Sequence, residues 1–202
     1  MPILEQLRAR IEGRTAKIGV VGLGYVGLPL ALLFSEQRFP ITGFDIDAGK
    51  VGALNSGGSY IYRIPATEIA AARAAGFSAT SDYTQVAAMD AILICVPTPL
   101  NEYREPDLSY IRATAEAVAP HLRAGQIVIL ESTTYPGTTE EVLAPILEAR
   151  NPGGLKAARG DEDPSATFMV AFSPEREDPG NDTVARRDIP KVVGGLSRSA
   201  SE

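Results

Sequence analysis

The segment KIGVVGLGYVG, residues 17–27, runs an apolar strand straight into a glycine-spaced turn, and it narrows the choice of fold more than any other stretch. A strand that ends in G-x-G-x-x-G and opens a helix is the start of a βαβ unit. Each glycine has a steric reason to be there. Gly22 lets the chain turn tightly, Gly24 leaves room for backbone N–H groups to approach phosphate, and Gly27 lets the following helix pack close to the strand. The positive end of that helix then faces an anion, so the pattern predicts a seat for a dinucleotide pyrophosphate. Glycine-rich turns also arise for purely steric reasons, so the motif needs context.

A second strand, ITGFD over Ile41 to Asp45, supplies it, following a helix built on Leu28, Leu30, Ala31, Leu32, Leu33 and Phe34. Asp45 lies about 20 residues beyond Gly24, the spacing at which an acidic side chain meets the adenosine ribose. A carboxylate there accepts hydrogen bonds from the ribose hydroxyls and repels a 2′-phosphate, which selects NAD over NADP. The alternative is that Asp45 only caps the helix beginning near Asp47. Lys50, close by, either touches the same ribose or is simply a solvated lysine.

Strands and helices alternate along the rest of the chain. An amphipathic helix over 3–12 carries Ile3, Leu4, Leu7 and Ile11 and is expected to serve packing. Strands are expected at 17–22, 41–45, 77–80, 91–96, 126–131 and 167–172, with a short one in KVVGG. Helices are expected at 25–37, through Ala53, at 65–75, 107–121 and 138–150. This order calls for an α/β fold, a Rossmann-like doubly wound parallel sheet with helices on both faces. The apolar runs AILICV and IVIL suit strands buried on both sides. NPGGLKAARGDEDPSA reads as an exposed loop, and the tail SRSASE offers N-cap serines with almost no helix behind them. Residues 1–202 are read as one domain, with 1–16 as its N-terminal helical segment.

The charge balance, 19 basic against 25 acidic residues for a net −6, has no basic run and argues against nucleic acid or an anionic membrane surface as partner. A secretory leader and a membrane-length apolar run are not seen, so the cytoplasm is the expected location. The single histidine, His121, sits at the end of an expected helix, and the single cysteine, Cys95, lies in an apolar strand. A histidine relay, a zinc site and a disulfide framework are therefore not expected.

Ligands of open parallel sheets gather beyond the carboxyl ends of the strands. After Val96 comes PTPLNEYREPDLSYI, where Thr98 offers a hydroxyl to the cleft, or the two prolines merely make a rigid connector. After Leu130 comes ESTTYPGTT, where Ser132 and Thr133 either bind ligand or cap the next helix. After Phe172 comes SPER, where Glu175 and Arg176 are either a base and an anion ligand or a surface salt bridge.

In this order GLGYVG, FDID, VPTPL with EPDLSY, ESTTYPGTT, SPEREDPGN and KVVGG resemble the NAD-binding domain of the UDP-glucose/GDP-mannose dehydrogenase family, over Lys17 to Gly195. SPEREDPGN is similar to the branch acting on UDP-N-acetylhexosamines. The resemblance implies an oxidoreductase that uses two NAD+ to convert the sugar C6 alcohol to a carboxylate, by way of a cysteine-bound aldehyde. It implies that Tyr25 and Val26 present backbone groups to the pyrophosphate, that Asp45 and Lys50 hold the ribose, and that Thr98 and Ser132 line the nicotinamide half. It assigns Thr133 and Glu175 to the water and proton of catalysis, and Arg176 and Glu177 to the sugar nucleotide. A UDP-sugar substrate and a homo-oligomer are the partners it implies. The nucleophilic cysteine, the central helix and a second domain would lie beyond this chain, which alone is expected to be inactive. Two other readings are a non-catalytic NAD sensor and a β-hydroxyacid dehydrogenase, the latter expected to lack the VPTP and SPER turns.

Overall fold

In the computed structural model, which describes residues 2–174 and 190–202, seven strands form one sheet. They are β1 (Ile18–Val21), β2 (Ile41–Phe44), β3 (Ser78–Thr80), β4 (Ala91–Ile94), β5 (Ile127–Leu130), β6 (Met169–Phe172) and β7 (Gly194–Gly195). The spatial order is β3-β2-β1-β4-β5-β6-β7, and β1 to β6 are all parallel. Strand order therefore reverses between β1 and β4. That is the point where the loops leaving neighbouring strands diverge and open a crevice.

The helices are α1 (Ile3–Glu12), α2 (Gly27–Glu36), α3 (Ala48–Asn55), α4 (Ala66–Ala74), α5 (Ser109–Val118), α6 (Ala144–Arg150) and α7 (Arg198–Ser201). Successive residues of β4 alternate between two cores, which is why the strand is apolar throughout. Leu93 and Cys95 join Leu28 and Leu32 of α2 and Ile69 of α4 on one face. Ile92 and Ile94 join Ile111 and Val118 of α5 and Leu147 of α6 on the other. Leu7 of α1 packs on Met169 of β6 and Ala200 of α7, a packing role as expected.

Several elements depart from the sequence expectations, each for a local reason. β7 runs antiparallel to β6 and pairs through two glycines only. A 3₁₀ helix, Tyr83–Ala88, was not foreseen; Asp82 caps it by accepting from the Thr84 N–H. The expected helix over 107–121 splits, because Pro120 follows α5 and the chain tightens into a 3₁₀ turn at Ala119–His121. The expected helix over 138–150 opens with a π-helical segment, Thr138–Leu143, before α6. Pro145 lacks an N–H for the Glu141 carbonyl and its ring crowds that oxygen, so the preceding turn widens. The loop after α6 is not wholly exposed: Ala157 and Ala158 are buried, and Ala157 bridges Phe168. Backbone hydrogen bonds dock it, from the Ala158 N–H to the Phe168 carbonyl and from the Phe168 N–H to the Lys156 carbonyl, and Leu155 packs against the core. Ser197 caps α7 through the Ala200 N–H, as the tail's serines suggested.

Candidate dinucleotide site at the carboxyl edge

Gly22 closes β1 with φ at 89°, a backbone conformation that an L side chain adopts only with strain. A Cβ at Gly27 would lie 1.8 Å from the Gly22 carbonyl oxygen, so no side chain fits there and α2 starts directly against the turn. A Cβ at Gly24 would meet nothing within 4 Å, so that side of the loop is open. α2 begins with no side-chain cap. The amides of Gly24, Tyr25, Val26 and Gly27 donate to no protein acceptor among the described residues. Four free donors at a helix start, next to an open surface, fit the oxygens of a phosphate. The Tyr25 side chain itself is 80% exposed, so its contribution to this surface is the backbone.

Asp45 ends β2 and is only 6% exposed. Its Oδ2 accepts from the Leu23 N–H at 2.9 Å, inside the glycine turn, and its Oδ1 accepts from the Asp47 N–H at 2.9 Å. The helix cap is Asp47, which accepts from the Gly49 and Lys50 amides, so Asp45 does not have that job. A carboxylate offers about four acceptor positions, and two are used, leaving one on each oxygen for a pair of hydroxyls. Lys50 Nζ stands 3.6 Å from Asp45 Oδ2 and 5.8 Å from the centre of the Tyr60 ring, rather than free in solvent.

The two loops beyond β4 and β5 join this edge. A Cβ on Gly22 would meet the Cys95 carbonyl oxygen at 2.8 Å and Val96 at 3.2 Å, so the β4 loop abuts the glycine turn. Ser132 Oγ donates to the Val96 carbonyl at 2.7 Å, and Thr98 Oγ1 donates to the Thr133 carbonyl at 2.7 Å. Both hydroxyls stitch one loop to the other and keep lone pairs to accept with. Neither Ser132 nor Thr133 caps the next helix, whose N-cap is Gly137. Thr133 is exposed. Asp45, the glycine turn, Thr98, Ser132 and Thr133 thus follow one another along the ends of β2, β1, β4 and β5. Glu175, Arg176 and Glu177 lie outside the described residues. Cys95 is buried just past β4, against the site where a Gly27 side chain would be.

Two contributors were missed in the sequence. Ser81 Oγ donates to the Asp45 carbonyl at 2.9 Å, and the Tyr60 hydroxyl donates to the Leu23 carbonyl at 2.6 Å. Burial first, then the negative charges of Asp45 and Asp47, raise the Tyr60 phenol well above its ordinary pKa. It stays a protonated donor. Tyr83 is raised in the same direction, by burial and then by Asp45. A polar tip in the apolar stretch YIYRI was the one available signal for Tyr60; nothing in the spacing shows that it folds back on the glycine turn. Among the described residues no cluster of metal-ligand side chains occurs, and no helix is long and apolar enough to cross a membrane.

The sequence pattern of the UDP-glucose/GDP-mannose dehydrogenase family, NAD binding domain, matches residues 16–202. The chain is 37% identical over 186 residues to UDP-N-acetyl-D-glucosamine 6-dehydrogenase of Pseudomonas aeruginosa, covering 92% of this chain and 41% of that one. It is 34% identical over 184 residues to UDP-N-acetyl-D-mannosamine dehydrogenase of Yersinia pestis, covering 91% and 43%. Its fold superposes on a ternary complex of GDP-mannose dehydrogenase from Pseudomonas aeruginosa with a TM-score of 0.77 and 28% identity, over 91% of this chain and 42% of that one. The chain spans less than half the length of these relatives. By its fold and by the family pattern over residues 16–202, it belongs to the UDP-glucose/GDP-mannose dehydrogenase family and comprises that family's NAD-binding domain.

Proposed function

We propose that this chain is the NAD-holding part of an enzyme that oxidises the C6 alcohol of a UDP-N-acetylhexosamine to the carboxylate with two NAD+. The observation that carries the reading is the Asp45 carboxylate, bonded to the glycine turn and still able to accept from two hydroxyls. Asp45 and Lys50 would hold the adenosine ribose, and the carboxylate would exclude a 2′-phosphate by repulsion and by occupying its space. The amides of Gly24 to Gly27 would take the pyrophosphate. Bound NAD+ supplies a hydride acceptor.

Thr98 and Ser132 keep the crevice beyond β4 in one shape, so that a nicotinamide and a sugar carbon can be held at reacting distance. The exposed Thr133 hydroxyl is suited to orient a water, with Glu175 as the base that takes the alcohol proton. Arg176 and Glu177 are proposed contacts to the sugar nucleotide. These roles are supported by motif position. Two of the relatives named above, the UDP-N-acetyl-D-glucosamine and UDP-N-acetyl-D-mannosamine dehydrogenases, act on UDP-N-acetylhexosamines by name, which supports that substrate class. A homo-oligomer, a cytoplasmic location and the supply of precursors for surface polysaccharide complete the proposal.

Residues 1–202 are proposed to form one NAD-binding unit that cannot turn over substrate alone, since its one cysteine is buried just past β4. NADH formation tests this. The expected result is two NADH per UDP-N-acetylglucosamine from the protein that joins this domain to the remaining part of its relatives' length, and none from the 202-residue chain. NADH production by the chain alone, or a single NADH per sugar from the joined protein, would contradict it.

A further inference from the structure

Residue 23 is clamped at both of its backbone groups. Its N–H donates to Asp45 Oδ2, its carbonyl accepts from the Tyr60 hydroxyl, and its side chain is fully buried against Gly43. The peptide joining Leu23 to Gly24 is trans, as is every peptide among the described residues. In a planar trans peptide the carbonyl oxygen and the next N–H point in opposite directions. A hydroxyl that holds the Leu23 oxygen toward the protein therefore turns the Gly24 N–H away from it. The Gly24 N–H has no acceptor among the described residues, and it lies beside the uncapped start of α2.

We propose that Tyr60 is a positioning residue for the dinucleotide, aiming the Gly24 amide and those after it at the pyrophosphate by holding the Leu23 carbonyl. The inference rests on the dinucleotide reading above and deepens it. Lys50 strengthens the arrangement, since its ammonium lies over the Tyr60 ring and beside Asp45 at once. Ribose acid, glycine turn and tyrosine then form one closed ring of contacts. Burial keeps the phenol protonated, so the donor persists throughout the pH range in which the protein is handled. A phenylalanine would preserve the packing and leave the buried Leu23 oxygen without its partner.

Calorimetric titration of the 202-residue chain with NAD+, ADP and adenosine separates the possibilities, with Tyr60→Phe beside Tyr83→Phe. Tyr83 packs its ring on Phe44 and is the control for removing a nearby phenol. For Tyr60→Phe, NAD+ and ADP should each bind about fivefold more weakly, the scale of one hydrogen bond. Adenosine, which has no phosphate, should keep its affinity, and Tyr83→Phe should match the parent chain. In nitrogen-15 spectra of the free protein, the Gly24 and Tyr25 amides should shift in Tyr60→Phe. Unchanged affinity for NAD+ in Tyr60→Phe, or an equal loss for adenosine, would overturn the positioning role while leaving the dinucleotide site standing. Failure of the parent chain to bind NAD+ at millimolar concentration would overturn both.

Discussion

Two buried aspartates mark opposite edges of the same sheet, and their partners differ in kind. Asp90, 4% exposed, sits at the amino edge just before β4, where its carboxylate accepts from the Lys17 N–H at 2.9 Å and from Arg123 at 3.0 Å. Arg10 stands at 3.3 Å from the same carboxylate. Arg123 also donates to the Ala87 and Met89 carbonyls, so it ties Asp90 to the turn around it. Asp45, at the carboxyl edge, has two backbone N–H donors and one ammonium standing beyond hydrogen-bond distance. Paired by two guanidiniums, Asp90 serves as a staple. Asp45 is half-satisfied and remains available to a ligand. A buried carboxylate with spare acceptors persists when something outside the chain uses them.

Substitutions on the two edges should separate along that line. Gly27→Ala should have the largest effect, because its Cβ would lie 1.8 Å from the Gly22 oxygen and backbone must move. A stability loss of about 3 kcal/mol is expected in chemical denaturation, together with loss of measurable NAD+ binding. Asp90→Ala should cost about 2 kcal/mol, less than a fully enclosed pair because both guanidiniums remain partly exposed to water. Its NAD+ affinity should stay that of the parent chain, and a drop of tenfold or more would erase the distinction between the edges.

Asp45→Asn should show the reverse. NAD+ should bind about tenfold more weakly, ~1.4 kcal/mol, and the preference over NADP+ should shrink, while the unfolding midpoint moves less than for Asp90→Ala. The smallest effect concerns acid. Burial alone raises the pKa of Glu148 in α6, but hydrogen bonds from Arg159 and the Ala157 N–H outweigh it and hold the carboxyl below its ordinary value. A carboxyl whose pKa is lowered on folding stabilises the fold above its unfolded value of about 4.3 and loses that contribution as pH falls through the folded value. Glu148→Gln should therefore flatten the decline in stability below about pH 4.3 and leave NAD+ binding at neutral pH untouched.

The carboxyl edge was the more legible of the two in the sequence. Gly22, Gly24, Gly27 and Asp45 announce themselves because a strand, a tight turn and a following strand fix their positions locally, within one βαβ unit. Thr98, Ser132 and Thr133 were findable because loops that follow strands of a parallel sheet must come out on the same side. The mutual bonds of their loops were not legible, since Ser132 reaches Val96 only through the sheet. Tyr60 and the Asp90 cluster were missed for the same physical reason. Their partners are distant in the chain, and propensity and periodicity carry no information about which turn folds back on which. Pro145 was visible, but a proline can either break a helix or widen the turn before it, and the sequence does not say which; here the turn widens, in a segment that packs against α5.

A crystal structure of this chain with NAD+ tests the central claim most directly. The pyrophosphate is expected on the amides of Gly24 to Gly27, with the adenosine ribose hydroxyls on the two free acceptor positions of Asp45 and Lys50 alongside. Density for the dinucleotide at any other edge of the sheet, or an Asp45 carboxylate still bonded only to Leu23 and Asp47 with ligand present, would contradict it.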